Sequence, residues 1–238
     1  QTGQPAMLIK LMFSHKCNIF DLLYGVSISL DDLMEYRWTE EDVIPLIYQT
    51  GYLSIIDTEQ SRLLRLAPPN TEVRTVLCRN VLSFVSNLGQ TSKFSAEVEA
   101  MRQSLLLGDV AAFIARFAQS LKDVALIRQK KETAEYVSRL AFHALSNILG
   151  TVIKDSNADV MLEVSDGKKS EAYIFELKME KNIALDDIFA DAFMRIQEKH
   201  YTETFAHFLG TTEKERAIHQ VALVFNSTKG TIAGWKAL

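Results

Sequence analysis

The chain has 238 residues, 47% hydrophobic and 24% charged, a composition that buries one large core or two modest ones and excludes general disorder. Its two cysteines, Cys17 and Cys78, are far apart and lack metal-ligand spacing, so neither a disulfide framework nor a zinc site has support, and a reducing, cytoplasmic setting is expected. The net charge of -4 argues against a protein that coats nucleic acid indiscriminately, since such binding is driven by Lys and Arg displacing counterions.

Charges break the longest apolar runs well short of the roughly 20 residues that a membrane span needs, and the opening segment has no basic region followed by a cleavable apolar stretch. The chain opens at Gln1 inside what reads as a helical region, as expected of a piece of a longer protein. Met7 to Phe20 has helical apolar spacing, Leu30 to Tyr36 is a second helix, and Thr39-Glu40-Glu41-Asp42 caps a third that continues through Ile44 to Tyr48 and ends at Gly51. Tyr52 to Ile56 and Arg62 to Leu66 form a hairpin around the polar turn Asp57 to Gln60, closed by Pro68-Pro69. Asn70 caps the next helix, which carries Val73, Val76, Leu77, Val81, Leu82 and Val85 on one stripe. Helices followed by a hairpin resemble a winged helix; few basic residues lie on its recognition elements, so a packing scaffold is preferred over DNA binding for this part.

Phe94 to Leu126 reads as a helical connector broken at Gly108-Asp109 into Val98 to Leu107 and Val110 to Leu121. The cluster Arg128, Lys130 and Lys131 that follows is read as a solvated helix start in preference to a phosphate contact. From Glu132 a helix presents Val137, Leu140, Ala141, Ala144, Leu145 and Ile148 on one face and ends at Gly150. Strands Thr151 to Lys154, Asp159 to Val164 and Ala172 to Lys178 come next, the last two joined by the turn Asp166-Gly167-Lys168-Lys169. A long helix from about Asp186 to Phe208 and a strand Gln220 to Phe225 complete an α-β-β-β-α-β unit. The expected fold class is therefore α+β or α/β, with a mostly helical, winged-helix-like N-terminal domain. The expected divisions are 1–90, a connector 91–131, and 132–238.

Register gives the third part its chemistry. A hairpin centred between Gly167 and Lys168 sets Asp159 opposite Glu176 and Leu162 opposite Tyr173. The two-residue strand period then sends Asp159, Glu176 and Lys178 to one side and Val160, Leu162, Val164, Tyr173, Phe175 and Leu177 to the other, predicting one charged face and one core face. Two carboxylates so placed can share a hard divalent cation such as Mg2+ or Mn2+, and a lysine two residues along can orient a water or stabilise charge on a phosphodiester. Alone, Glu-x-Lys on a strand is more often a solvated ion pair worth under about 1 kcal/mol. Glu163, farther along the charged face, ranks as accessory.

Asn157-Ala158-Asp159, Ile174-Phe175-Glu176-Leu177-Lys178 and Gln197-Glu198-Lys199-His200-Tyr201 together resemble the PD-(D/E)xK nuclease superfamily over residues 132 to 238, with its restriction-endonuclease-like core. The resemblance implies that Asp159 and Glu176 bind Mg2+ (or Mn2+) and that Lys178 assists the attacking water; DNA is the leading substrate hypothesis, with DNA and RNA not distinguished by the sequence. Gln197 and Tyr201 resemble the Q-x-x-x-Y element of the RecB-like branch, which implies that both face the site, as stacking of residues four apart on one helix would allow. An acidic residue of the first helix often completes such sites; Glu135 is the candidate, with Glu132 close enough to compete. Ser156-Asn157 stands where the pattern commonly has Gly-Arg, a change that weakens an expected phosphate contact.

Ile44-Pro45-Leu46-Ile47-Tyr48-Gln49-Thr50-Gly51-Tyr52-Leu53 and Pro69-Asn70-Thr71-Glu72-Val73 resemble a bacterial family of AAA-type ATPases that end in such a nuclease-like domain. That implies an ATPase core upstream in the same polypeptide, with residues 1 to about 90 its lid and winged-helix-like portion. No G-x-x-x-x-G-K-[ST] occurs here, so this chain itself is not expected to bind ATP. The rival to a DNA-cleaving enzyme is an inactive nuclease-fold module that binds nucleic acid or protein and regulates the upstream ATPase.

Overall fold

Asn18 opens the first described helix, α1 (Ile19–Tyr24), by accepting a hydrogen bond from the Phe20 amide at 3.2 Å. The computed structural model describes residues 18–34, 43–59, 63–88, 93–121, 133–153, 159–212 and 216–238, in two units, Gln1–Phe84 and Val85–Leu238. Most of the helix expected over Met7 to Phe20, the segment Thr39 to Asp42, the basic cluster Arg128, Lys130 and Lys131, Glu132, and Ser156-Asn157-Ala158 lie outside the described residues.

In the first unit, α1 leads into strand β1 (Val26–Ser29), then helices α2 (Leu30–Met34) and α3 (Ile44–Gln49), then the hairpin of β2 (Ser54–Glu59) and β3 (Leu63–Ala67). The expected hairpin is present, but Asp57 to Glu59, expected in its turn, instead extend β2 and pair with Arg65, Leu64 and Leu63 of β3. β1 was not foreseen; it pairs antiparallel with β3, placing Ile28 across from Leu64, and the sheet order is β1-β3-β2. Gly25, at φ 113°, turns the chain from α1 into β1 in a backbone conformation that other residues adopt only with strain. Helix α4 (Thr71–Val85) is capped by Asn70, whose Oδ1 accepts from the Val73 amide at 2.9 Å. Leu77, Val81, Leu82 and Val85 are buried as expected, but Val76 is 43% exposed and leaves the apolar stripe.

The second unit begins with α5 (Phe94–Leu106) and α6 (Val110–Ser120), separated at Gly108 (φ 74°) as expected, with Asp109 capping α6. Helix α7 (Ala134–Leu149) is capped by Thr133 and stops at Gly150, where a Cβ would stand 2.1 Å from the Glu163 carbonyl oxygen. Any side chain there would push the neighbouring strand away. Strands β4 (Thr151–Ile153), β5 (Val160–Ser165), β6 (Ser170–Met179), β7 (Ile218–Phe225) and β8 (Ile232–Ala237) form one sheet in that order, antiparallel except for the parallel pair β6–β7. The unforeseen β8 covers the outer side of β7.

The β5–β6 register is the expected one, with Leu162 across from Tyr173 and Val160 across from Phe175. Asp166 holds the turn by accepting from the Lys168 and Lys169 amides at 2.8 Å each, and Gly167 takes φ 85°. The expectation of one core face and one charged face is corrected: both faces are covered. On one, Val160, Tyr173 and Phe175 meet the helices, with Phe142 of α7 at ring-centroid distances of 4.9 Å from Phe175 and 5.4 Å from Phe117, and with Phe113 of α6 joining them. The stretch expected as a connector thus contributes Phe113 and Phe117 to this face.

On the other face, Met161, Ala172, Ile174, Ala222 and Val224 pack against Ile188, Phe189, Ala192 and Ile196 of α8 (Leu185–Glu198) and Tyr201 and Phe205 of α9 (Tyr201–Phe208). A central strand buried on both sides needs apolar residues in succession rather than alternation, and β6 supplies Ala172 to Leu177 with Glu176 the exception. The long helix expected from Asp186 to Phe208 is also corrected. It breaks after Glu198, where His200 adopts the left-handed conformation at φ 53° and precedes α9.

Candidate active site

The register that places Val160 against Phe175 carries Asp159, one residue before β5, to the level of Glu176. There the Asp159 carboxylate stands in for the next ladder bond: Oδ2 accepts from the Leu177 amide at 2.8 Å, and Oδ1 accepts from the Arg139 guanidinium. Arg139 reaches down from α7, donates to the Leu177 carbonyl at 2.8 Å, and pairs through Nε with Glu135 one turn back at 3.1 Å.

Glu176 is fully buried. Leaving water raises the cost of its charge, the nearby Asp159 carboxylate adds repulsion, and Arg195 and Lys178 offset only part of this, so its pKa is pushed up to about 7. Lys178 Nζ lies 3.4 Å from Glu176 Oε1, and Arg195 Nε of α8 lies 3.2 Å from the same oxygen. Both are ion-pair distances without hydrogen-bonding alignment, so neither carboxylate oxygen of Glu176 has a hydrogen-bond partner among the described residues.

Two neighbours orient these cations. Asp191, one helical turn before Arg195, holds Lys178 Nζ at 2.9 Å, and the hydrogen bond from Lys178 keeps the Asp191 carboxyl below its ordinary range. Arg195 is hydrogen-bonded to the hydroxyl of Tyr201, a side chain 1% exposed whose own ionisation burial makes harder. The break at His200 turns Tyr201 back towards Arg195.

Of the residues singled out from sequence, Asp159, Glu176, Lys178 and Tyr201 are brought together. Glu135 is half-exposed and adjoins the group through Arg139, which bridges it to Asp159. Gln197 is exposed near the end of α8, with no side-chain contact to the group among the described residues; the helix ends between it and Tyr201, so the four-residue spacing does not stack them. Glu163 pairs with Arg216 at 3.0 Å and accepts from Ser170 at 2.7 Å, across from Ala172 and four residues down β6 from Glu176, and takes no part in the site. Arg139, Asp191 and Arg195 were missed. Their only sequence signal was acid-base spacing of four, Glu135 to Arg139 and Asp191 to Arg195, which is common on solvated helices.

Among the described residues no three His, Cys, Asp or Glu side chains converge as a ready metal cluster. The pair Asp159 and Glu176 still fits a hard divalent cation. Its donors are all oxygen, both oxygens of buried Glu176 lack hydrogen-bond partners, and ions such as Mg2+ commonly take one or two carboxylates and keep several waters. The pair also sits at the carboxyl end of β6, beside its parallel partner β7, where open α/β sheets bind ligands.

No curated protein and no solved structure matches this chain. Residues 153–235, the span that holds Asp159, Glu176, Lys178, Arg195 and Tyr201 and begins after α7, match the family model of the PD-(D/E)XK nuclease superfamily, a match that points to a metal-dependent nuclease.

Proposed function

We propose that the chain hydrolyses phosphodiester bonds of DNA with Mg2+ or Mn2+ held by Asp159 and Glu176. The observation that carries this reading is the Glu176 carboxylate, fully buried, without a hydrogen-bond partner among the described residues, and beside a second carboxylate. Burying an ionisable group in this state costs several kcal/mol unless something compensates it, and a divalent cation is the compensation that two oxygen donors match. When bound, such a cation supplies positive charge and Lewis acidity to the phosphodiester.

The chain's own residues supply the rest. Asp159 is fixed by the Leu177 amide, so its position relative to Glu176 follows from the sheet. Lys178, held by Asp191 beside Glu176, orients the attacking water and stabilises charge as it builds on the phosphate. Tyr201, buried, steadies Arg195 through its hydroxyl. Glu135 keeps Arg139 in place against Asp159. The helix-strand-helix-helix-hairpin order of the first unit supports a winged-helix-like reading, and the likeness of residues 44–53 and 69–73 to the ATPase family supports an ATPase domain of the same polypeptide as the partner.

Cleavage of DNA by the purified chain with Mn2+, compared between parent and Lys178→Ala, tests the assignment. The variant is expected to lose activity by about 10²-fold or more while binding Mn2+ within a few-fold of the parent, because the lysine acts on the reaction and not as a ligand. Cleavage by Lys178→Ala at the parent's rate would remove the lysine from the mechanism.

A further inference from the structure

The ion-paired network at the carboxyl end of β6 joins four carboxylates, Glu135, Asp159, Glu176 and Asp191, to three cations, Arg139, Lys178 and Arg195, with Lys181 acting on Asp191 from outside it. With the network's groups all ionised, one negative charge remains. A divalent cation alone would leave one positive charge, and one phosphodiester would neutralise it. Charge balance therefore favours joint uptake of metal and nucleic acid over uptake of either alone.

The three cations are not equally placed to respond. Arg139 is tied at three points, to Glu135, Asp159 and the Leu177 carbonyl, and its side chain is 25% exposed. Lys178 is pinned by Asp191 and is 15% exposed. Arg195 has its side chain 46% exposed and meets Glu176 at ion-pair distance through Nε. Its Tyr201 partner lies at the start of the next helix and steadies the guanidinium without burying it. A planar guanidinium beside a carboxylate site is the donor best shaped for a phosphodiester.

Resting on the nuclease reading above, we propose that Arg195 is an exchangeable counter-ion. It neutralises Glu176 while the metal is absent, yields that carboxylate to the divalent cation, and then binds the phosphodiester, so metal and nucleic acid bind cooperatively. Arg195 is thus both competitor to the metal and binder of the substrate. A merely structural arginine would be neither.

The test measures Mn2+ affinity by calorimetry with and without a phosphorothioate DNA duplex, which keeps the charge of the natural strand while resisting cleavage. The duplex is expected to tighten Mn2+ binding by about 10-fold in the parent, and Mn2+ to tighten duplex binding by the same factor, as linkage requires. Arg195→Gln is expected to bind Mn2+ about 3- to 10-fold more tightly than the parent without DNA and to lose the coupling. Arg195→Lys, with its charge retained, should keep part of it. Tyr201→Phe, which frees Arg195 from its tether while filling the same volume, provides a second variant and should weaken coupling without abolishing Mn2+ binding. Arg195→Gln binding Mn2+ no more tightly than the parent, or showing undiminished coupling, would overturn the proposal and leave the nuclease reading standing. A parent chain that takes up no Mn2+ would sink both.

Discussion

Glu176→Gln is expected to abolish Mn2+-dependent DNA cleavage and, in the same variant, to make the metal-free protein more stable. The two effects share one cause, because a carboxylate placed to bind a cation is a burden when no cation is present. Replacing Glu176 removes a donor that the neighbouring Asp159 cannot replace, and activity should fall at least about 10²-fold. For stability the sign follows from the raised pKa. The unfolded chain releases the Glu176 proton near its ordinary value of 4.5, whereas the folded chain holds it up to about 7. Between those values the folded state binds the extra proton, so Glu176 lowers stability progressively as pH rises through that window, and the full penalty stands above it.

That penalty is on the order of 3 kcal/mol, the pKa difference between 4.5 and about 7 expressed as free energy. Gln pays none of it at any pH. Thermal melting without metal should therefore show the variant more stable than the parent by about 5 °C at pH 8, with the gap closing towards pH 4.5. A gap independent of pH, or a variant less stable at pH 8, would mean that Arg195 and Lys178 already satisfy the carboxylate. Saturating Mn2+ should narrow the difference from the other side, since only the parent gains from binding.

Phe142→Ala is expected to cost about 3–5 kcal/mol, enough to unfold much of a marginally stable domain. Phe142 is fully buried in the middle of α7 and contacts rings from two other elements, Phe113 and Phe117 of α6 and Phe175 of β6. Its removal leaves a cavity at the junction of helix and sheet that none of these rigid rings can fill without leaving its own neighbours. Urea denaturation checks this through a fall in midpoint at unchanged slope. Phe208→Ala, at a position 60% exposed, is the matched control and should change stability by no more than about 0.5 kcal/mol. Because α7 also carries Arg139, a partly folded Phe142→Ala protein should lose site order before it loses helix content.

The sheet around the site was legible in the sequence because two independent signals agreed. Asp166-Gly167 fixes a tight turn, and the apolar residues of β5 and β6 alternate or run on so that only one register buries them together. Asp159 and Glu176 follow from that register without knowledge of the rest of the chain. The burial of Glu176 did not follow, because its face is roofed by α8 and α9, which come from a later stretch, and no local pattern tells where a crossover helix will lie.

The break at His200 escaped for a related reason. The apolar spacing of Ile196, Tyr201 and Phe205 reads as one continuous helix, and no Gly or Pro marks the left-handed residue that separates α8 from α9. The spacing therefore groups Gln197 with Tyr201, whereas Arg195, two residues earlier, is the side chain that meets it. Strand β8 carries Gly234 and Lys236 within a short run, too little apolar alternation to stand out. Its Gly234 is explained only in three dimensions, where a Cβ would crowd Leu185 and Phe189 of α8.

Anomalous scattering from Mn2+ soaked into crystals of the chain probes the proposed site most directly. A single strong peak within ligating distance of the carboxylates of Asp159 and Glu176, absent from crystals of Glu176→Ala, is the predicted result. No peak there at millimolar Mn2+, or a peak that survives the loss of Glu176, would contradict it.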